Sequence, residues 1–222
     1  MNEDSADSAR GRLHAAVGRH LWRIVLPAAP DVLALLVAQG EITASGLTAF
    51  AAWSRDGEHE SAATVRSVRH AAFDARRELL EALRAALSTP IDQEDLYTLS
   101  ERIDRILNEA RNAVREAEVL GWTPDAHAAL MGAQLADGTD AIVEGFRLLR
   151  KDPEAAGRQS DAASDAVHHV ERDYRLAMAE LLKVDDLRAV LAAQDIYRRY
   201  LHVAEAVVAV ADRLWYTVLR GA

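Results

Sequence analysis

All five prolines of this 222-residue chain fall between periodic apolar segments, never inside one. Proline in a helix interior removes a backbone hydrogen bond and clashes with the preceding turn, at about 3 kcal/mol. A chain that keeps Pro27, Pro30, Pro90, Pro124 and Pro153 out of every apolar run is written for long, unbroken helices. Thr123-Pro124 and Asp152-Pro153 each read as an N-cap followed by proline at the first helical position. Thr89-Pro90-Ile91-Asp92 closes one helix and opens the next, and Asp185-Asp186 caps the last. These signals predict helices over residues 31–55, 59–88, 92–120, 124–150, 154–183 and 186–220, with ends set to within about 2–4 residues. β-branched residues are scattered and no hairpin dipeptide separates alternating runs, so no strand is expected. The last helix carries a stripe of Leu187, Leu191, Gln194, Tyr197, Leu201, Ala204, Val208, Ala211, Trp215 and Val218, which predicts bundle packing. Residues 1–30 set Arg10, Arg12, Arg19 and Arg23 against Leu13, Val17, Leu21, Trp22, Ile24 and Val25, and read as a short helix or an arm.

Composition removes whole classes of function. With no cysteine, disulfides, iron–sulfur clusters and thiol catalysis are excluded. A net charge of −9 argues against a nucleic-acid binder, which presents a basic face. The start Met1-Asn2-Glu3-Asp4 is acidic, unlike a signal peptide. No stretch approaches the ~18–20 uninterrupted apolar residues of a membrane span. A soluble, cytoplasmic protein is expected. The sequence has no Gly-x-x-x-x-Gly-Lys loop, no Gly-x-Ser-x-Gly elbow and no His-Glu-x-x-His pair, so it is not read as an enzyme. Glu-x-x-His, required twice by a ferritin-like di-iron site, is also missing.

The chain also repeats itself. Ala38-Gln39 and Phe50 recur as Ala133-Gln134 and Phe146. His70, Asp74 and Glu78-Leu79-Leu80 recur as His169, Asp173 and Glu180-Leu181-Leu182. The matches keep one order, so the first three helices (31–120) correspond to the last three (124–221) inside a single helical domain of residues 31–222. Two tandem three-helix units are the layout of PhoU. The segment Ser88-Thr-Pro-Ile-Asp-Gln-Glu-Asp-Leu96, the continuation Leu99-Ser-Glu-Arg-Ile-Asp104, and the endings Val210-Ala-Asp-Arg-Leu214 and Val218-Leu219-Arg220 resemble a PhoU-related family of small phosphate-transport regulators. The likeness covers residues ~30–221 and is strongest in 68–120 and 165–221. It implies an all-α PhoU-like bundle of long antiparallel helices. It further implies a Pit-type phosphate transporter as partner, at the inner face of the membrane.

The resemblance also implies metal sites. PhoU-like proteins repeat a Glu or Asp followed four residues later by Asp, and this spacing puts both carboxylates on one helical face, roughly 6 Å apart at Cβ. Here Asp74 and Asp173 stand at the final Asp, and His70 and His169 replace the leading acid. An imidazole with a carboxylate suits zinc, iron, nickel or manganese better than magnesium or calcium. Asp104 aligns with the motif but is followed by Asn108. On the last helix Glu205 and Asp212 align with family acids, and His202 lies just before them, although the position four after Glu205 is Ala209. At 100° per residue Glu205 and Asp212 fall near the line of Leu201, Val208 and Leu219, on the apolar stripe. Buried carboxylates are paired or metal-bound, so each is expected to hold a metal or an arginine such as Arg102, Arg105 or Arg111. His168 reads as a surface residue, and Tyr197, Tyr200, Trp215 and Tyr216 as core or interface aromatics.

Three functions stay open on these residues. The first is a regulator of phosphate uptake that carries metal. The second is a metal-free helical scaffold in which the altered motifs are relics. The third is a metal-dependent hydrolase or oxidase, for which no residue besides the motif acids offers a base. Apolar residues at the helix ends would permit a homodimer.

Overall fold

The structure is a computed structural model that describes residues 31–221. The expectation for residues 1–30 lies outside them. Among the described residues there are six helices and no strand: α1 (Val32–Asp56), α2 (His59–Ala85), α3 (Gln93–Leu120), α4 (Ala126–Leu148), α5 (Pro153–Leu181) and α6 (Leu187–Gly221). All six begin and end within three residues of the boundaries drawn from sequence.

Most of the stop signals act as read. Asp152 caps α5 by accepting from the Ala155 amide at 2.9 Å, with Pro153 at the first position. Asp92 caps α3 through the Glu94 amide at 2.8 Å, and Asp186 caps α6 through the Arg188 amide at 2.9 Å. The exception is α4. Its cap is Asp125, which accepts from the Ala128 amide at 2.9 Å, and not Thr123. The Asp125 carboxylate fits the N-terminal partial charge better than a hydroxyl does. Gly121 ends α3 at φ 63°, a left-handed conformation that glycine adopts without cost.

The packing follows one pattern in both halves: α2 lies on α1 and α3, and α5 lies on α4 and α6. The halves join through α1 on α4 and α3 on α6. A Cβ at Gly40 would stand 3.1 Å from Val143, and one at Gly132 would stand 2.6 Å from Ser54, so α1 and α4 run antiparallel. By windowed hydropathy α1 is long and apolar enough to cross a membrane, although no uninterrupted apolar run had suggested it. Its place in the fold accounts for this. α1 is a central helix touched by α2, α3 and α4, and its one mid-helix acid, Glu41, pairs with Arg147 at 2.7 Å.

Buried polar groups tie the centre. Gln39 and Ser100, both fully buried, bond reciprocally: Gln39 Nε2 donates to the Ser100 carbonyl at 2.9 Å, and Ser100 Oγ donates to Gln39 Oε1 at 2.7 Å. Ser54 gives its proton to the Phe50 carbonyl at 2.8 Å, so the fully buried Tyr200 hydroxyl donates to Ser54 Oγ at 2.7 Å. Phe50, Trp53, Trp122, Tyr197 and Tyr200 form a chain of ring contacts with centroids 5.1–6.5 Å apart.

Candidate functional site

The two segments that carry the family resemblance meet in space. The Thr-Pro-Ile-Asp loop opens α3, and the Ala-Asp-Arg-Leu and Val-Leu-Arg segments close α6 against it. Asp95 is 1% exposed. It faces Arg213 at 2.5 Å and Arg220 at 3.5 Å, while Arg220 also reaches Asp92 at 3.2 Å. Arg213 and Arg220 both lie over the Tyr216 ring, 5.0 and 5.7 Å from its centroid. Asp92 and Asp95 occupy the N-terminus of α3 and Arg220 the last turn of α6, so these three groups also meet the favourable end of their own helix dipole. A cleft of about 390 Å³ beside them is lined by Pro90, Ile91, Asp92, Asp95, Leu149 and Arg220, among others.

The candidate ligands are distributed, not gathered. Among the described residues no group of three or more histidines and carboxylates comes together to hold a metal ion. His70 and Asp74 are exposed on α2, and Asp74 pairs with Arg77 at 3.7 Å. Half-buried Asp104 accepts from Arg76 at 3.3 Å and from Asn108 at 3.0 Å. His169 is exposed and turned to α4, with Nδ1 3.4 Å from Gln134 Oε1. Asp173 is 5% exposed, and its ion pair is with Arg172 at 3.7 Å. His202 is half-buried on α6.

Two expectations for α6 are corrected. Glu205 and Asp212 are exposed, not on the buried face. The buried line is Ile196, Tyr197, Tyr200, Val203, Val207, Val210, Leu214 and Thr217. Leu187, Leu191 and Trp215, which the stripe predicts to be packed, are 68%, 52% and 42% exposed. The stripe drawn from sequence lies about one residue step round the helix from the face that is buried, because α6 is covered on several sides, by α3, α4 and α5. The arginines proposed as partners also go elsewhere: Arg102 donates to the Ala209 carbonyl at 2.5 Å, Arg105 pairs with Glu109 at 4.0 Å, and Arg111 donates to Asn108 at 3.2 Å.

What α5 and α6 build together is a groove of about 340 Å³. Val167, Leu201, Ala204 and Val208 make its apolar surface, and Glu171, Tyr174, Arg175 and Glu205 its polar one. With His70 matched to His169, Arg76 matches Arg175. Arg76 closes on Asp104 of α3, whereas Arg175 turns along its own helix to Glu171 at 3.8 Å. The groove can take an amphipathic group: an apolar stem on the valines, with a charged head between one guanidinium and two carboxylates. The acidic motifs carry no signal for Arg76 and Arg175. The signal was the seven-residue spacing from Arg69 to Arg76, which sets two cations on one face of α2.

No family model matches the sequence, and no curated protein matches it. Solved structures do match in fold. PhoU from Pseudomonas aeruginosa superposes with a TM-score of 0.70 at 20% identity, over 86% of this chain and 97% of that one. A PhoU-like protein from Shewanella oneidensis MR-1 gives 0.68 at 15% identity, over 85% and 99%. A putative PhoU-like phosphate regulatory protein from the same organism gives 0.60 at 14% identity, over 85% and 99%. The chain therefore has an all-α PhoU-like fold.

Proposed function

We propose that this chain is a PhoU-like accessory or regulatory protein for inorganic phosphate uptake, acting by contact with a Pit-type transporter at the cytoplasmic face and not by catalysis. The observation that carries the reading is the near full-length superposition on PhoU. The meeting of the Thr89–Leu96 loop with Arg213 and Arg220 supports it, since that contact gives a physical reason for both segments of the resemblance. The test is removal of the gene from its host, with uptake of labelled phosphate and co-purification of the transporter as readouts. Changed uptake with the transporter recovered supports the reading. Unchanged uptake and no recovery sinks it.

One observation favours a metal within this reading. Asp173 is buried one helical turn from His169, with its nearest cation at 3.7 Å. We propose that the His169/Asp173 pair, and less directly His70/Asp74, each supply two ligands to a zinc-, iron-, nickel- or manganese-type ion completed by water or phosphate. Asp104 has Oδ2 shared by Arg76 and Asn108, which leaves only Oδ1 for an ion. Elemental mass spectrometry of tag-free protein tests this. Near-stoichiometric metal that vanishes on joint alanine substitution of His70, Asp74, His169 and Asp173 supports it. No metal after reconstitution leaves the helical scaffold.

A further inference from the structure

The face where α2 meets α3 gathers positive charge in a chain that is acidic overall. Arg66, Arg69 and Arg76 share one side of α2, at spacings of three and seven residues. Arg111 and Arg115 stand one turn apart on α3. Among the described residues, two carboxylates pair with these five arginines, Glu118 with Arg66 and Asp104 with Arg76. Arg69 and Arg115 are exposed and near enough to act on the charge of Arg111. Burial, then Arg69, then Arg115 depress the Arg111 guanidinium below its ordinary range, and Asp104 offsets only part of this. Independently of that crowding, Arg111 Nε and Arg76 Nε are both buried N–H donors with no hydrogen-bond partner. Asn108 links the two arginines, donating to Asp104 at 3.0 Å and accepting from Arg111 at 3.2 Å.

Like charges held together with buried, unused donors cost stability unless an anion joins them. A guanidinium offers parallel N–H groups that fit the oxygens of phosphate, and the arginine fork loses little entropy in doing so. We infer that the α2–α3 face, through Arg69, Arg111 and Arg115 with Arg76 at its edge, binds a phosphate group. This is distinct from the metal pairs, since His70 and Asp74 lie elsewhere on α2. The choice of phosphate among oxyanions rests on the regulatory reading above; the cation cluster does not.

The test uses the full chain and inorganic phosphate, by titration calorimetry and thermal melts at ionic strength matched with chloride. The expected result is saturable binding, a melting temperature that rises with phosphate, and at least a tenfold loss of affinity in R69Q/R115Q. Both of those side chains are exposed, and the single R69Q serves as the milder variant. A second arm presents vesicles containing phosphatidic acid. Binding there but not to free phosphate, lost in the same variants, assigns the phosphate group to a lipid headgroup. No binding in either arm, or equal binding in wild type and variants, overturns the site. Gene removal and uptake would then still decide the regulatory reading separately.

Discussion

Asp95 shows how much can rest on one carboxylate. It is buried, and its two cations come from the far end of the chain, Arg213 and Arg220. Removing one member of a buried pair leaves the other charge without compensation, at about 3–5 kcal/mol, whereas a pair open to solvent is worth about 0–1 kcal/mol. With Glu94 and Asp92 still facing Arg213 and Arg220, Asp95→Ala is expected to lower unfolding free energy by about 1–3 kcal/mol in urea titration, and Asp74→Ala, whose partner Arg77 is exposed, to change it little. The buried phenols set a pH limit. Burial pushes Tyr200 well above its ordinary 10, and burial with Asp125 does the same to Tyr197. The unfolded chain sheds these protons near pH 10 and the folded chain does not. The stability they lend is whole below that pH and falls as pH rises through it. In an alkaline titration followed by phenolate absorbance, two of the five tyrosines should ionise only with unfolding, as read by circular dichroism. All five ionising together before unfolding would refute this.

At the scale of the element, close helix contact decides what each position tolerates. Gly132 packs α4 onto α1. A Cβ there would lie 2.6 Å from Ser54 Cβ, 2.7 Å from its Oγ and 3.3 Å from the Ala51 Cα. Alanine in a helix interior gains about 1 kcal/mol over glycine, yet overpacking against atoms that cannot swing away costs about 1–3 kcal/mol. The clash wins, because Cα and Cβ atoms are no flexible ends, and Ser54 cannot move without straining its bond to Tyr200. Gly132→Ala is expected to lower the melting temperature by a few degrees, at about 2–4 °C per kcal/mol for this size, and an unchanged melt would count against the packing. Element types and ends were legible in sequence because proline, aspartate and glycine act locally. Burial on α6 was less so. A helix packed on several sides has no single stripe, and Leu187, Leu191 and Trp215 are exposed despite their apolar side chains. The candidate site was less legible still. His169 and Asp173 share a helix, but their surroundings depend on how α4, α5 and α6 approach. The same Ala-Gln pair gives a buried bond to Ser100 at Gln39 and a partly exposed contact with His169 at Gln134.

Taken whole, the two halves are joined by their most apolar surfaces. α1 meets α4 through Gly40, Val143, Phe146 and Gly132, and Tyr200 of α6 sits against Phe50 of α1 with ring centroids 5.1 Å apart. Charged ties cross the same seam: Arg147 to Glu41, Arg199 to Glu116, and Arg213 to Asp95. A three-helix half alone would present Phe50, fully buried in the whole against Tyr200, and the Gly40 face of α1 with part of their cover gone. Each such side chain returned to water costs about 1.5–3 kcal/mol, against a stability of only about 5–15 kcal/mol for a domain. Residues 31–222 are therefore expected to melt in one cooperative transition, and the fragment 31–122 to show none as a monomer. Calorimetry of the two chains, with their masses in solution from light scattering, checks this. If the fragment recovers a sharp transition, it should do so only as a dimer in which a second copy supplies the missing face, since α1 and α4 are matched members of the repeat. A fragment that melts cooperatively while monomeric would show that each half holds its own core, and that the seam between them is an interface and not the centre of one domain.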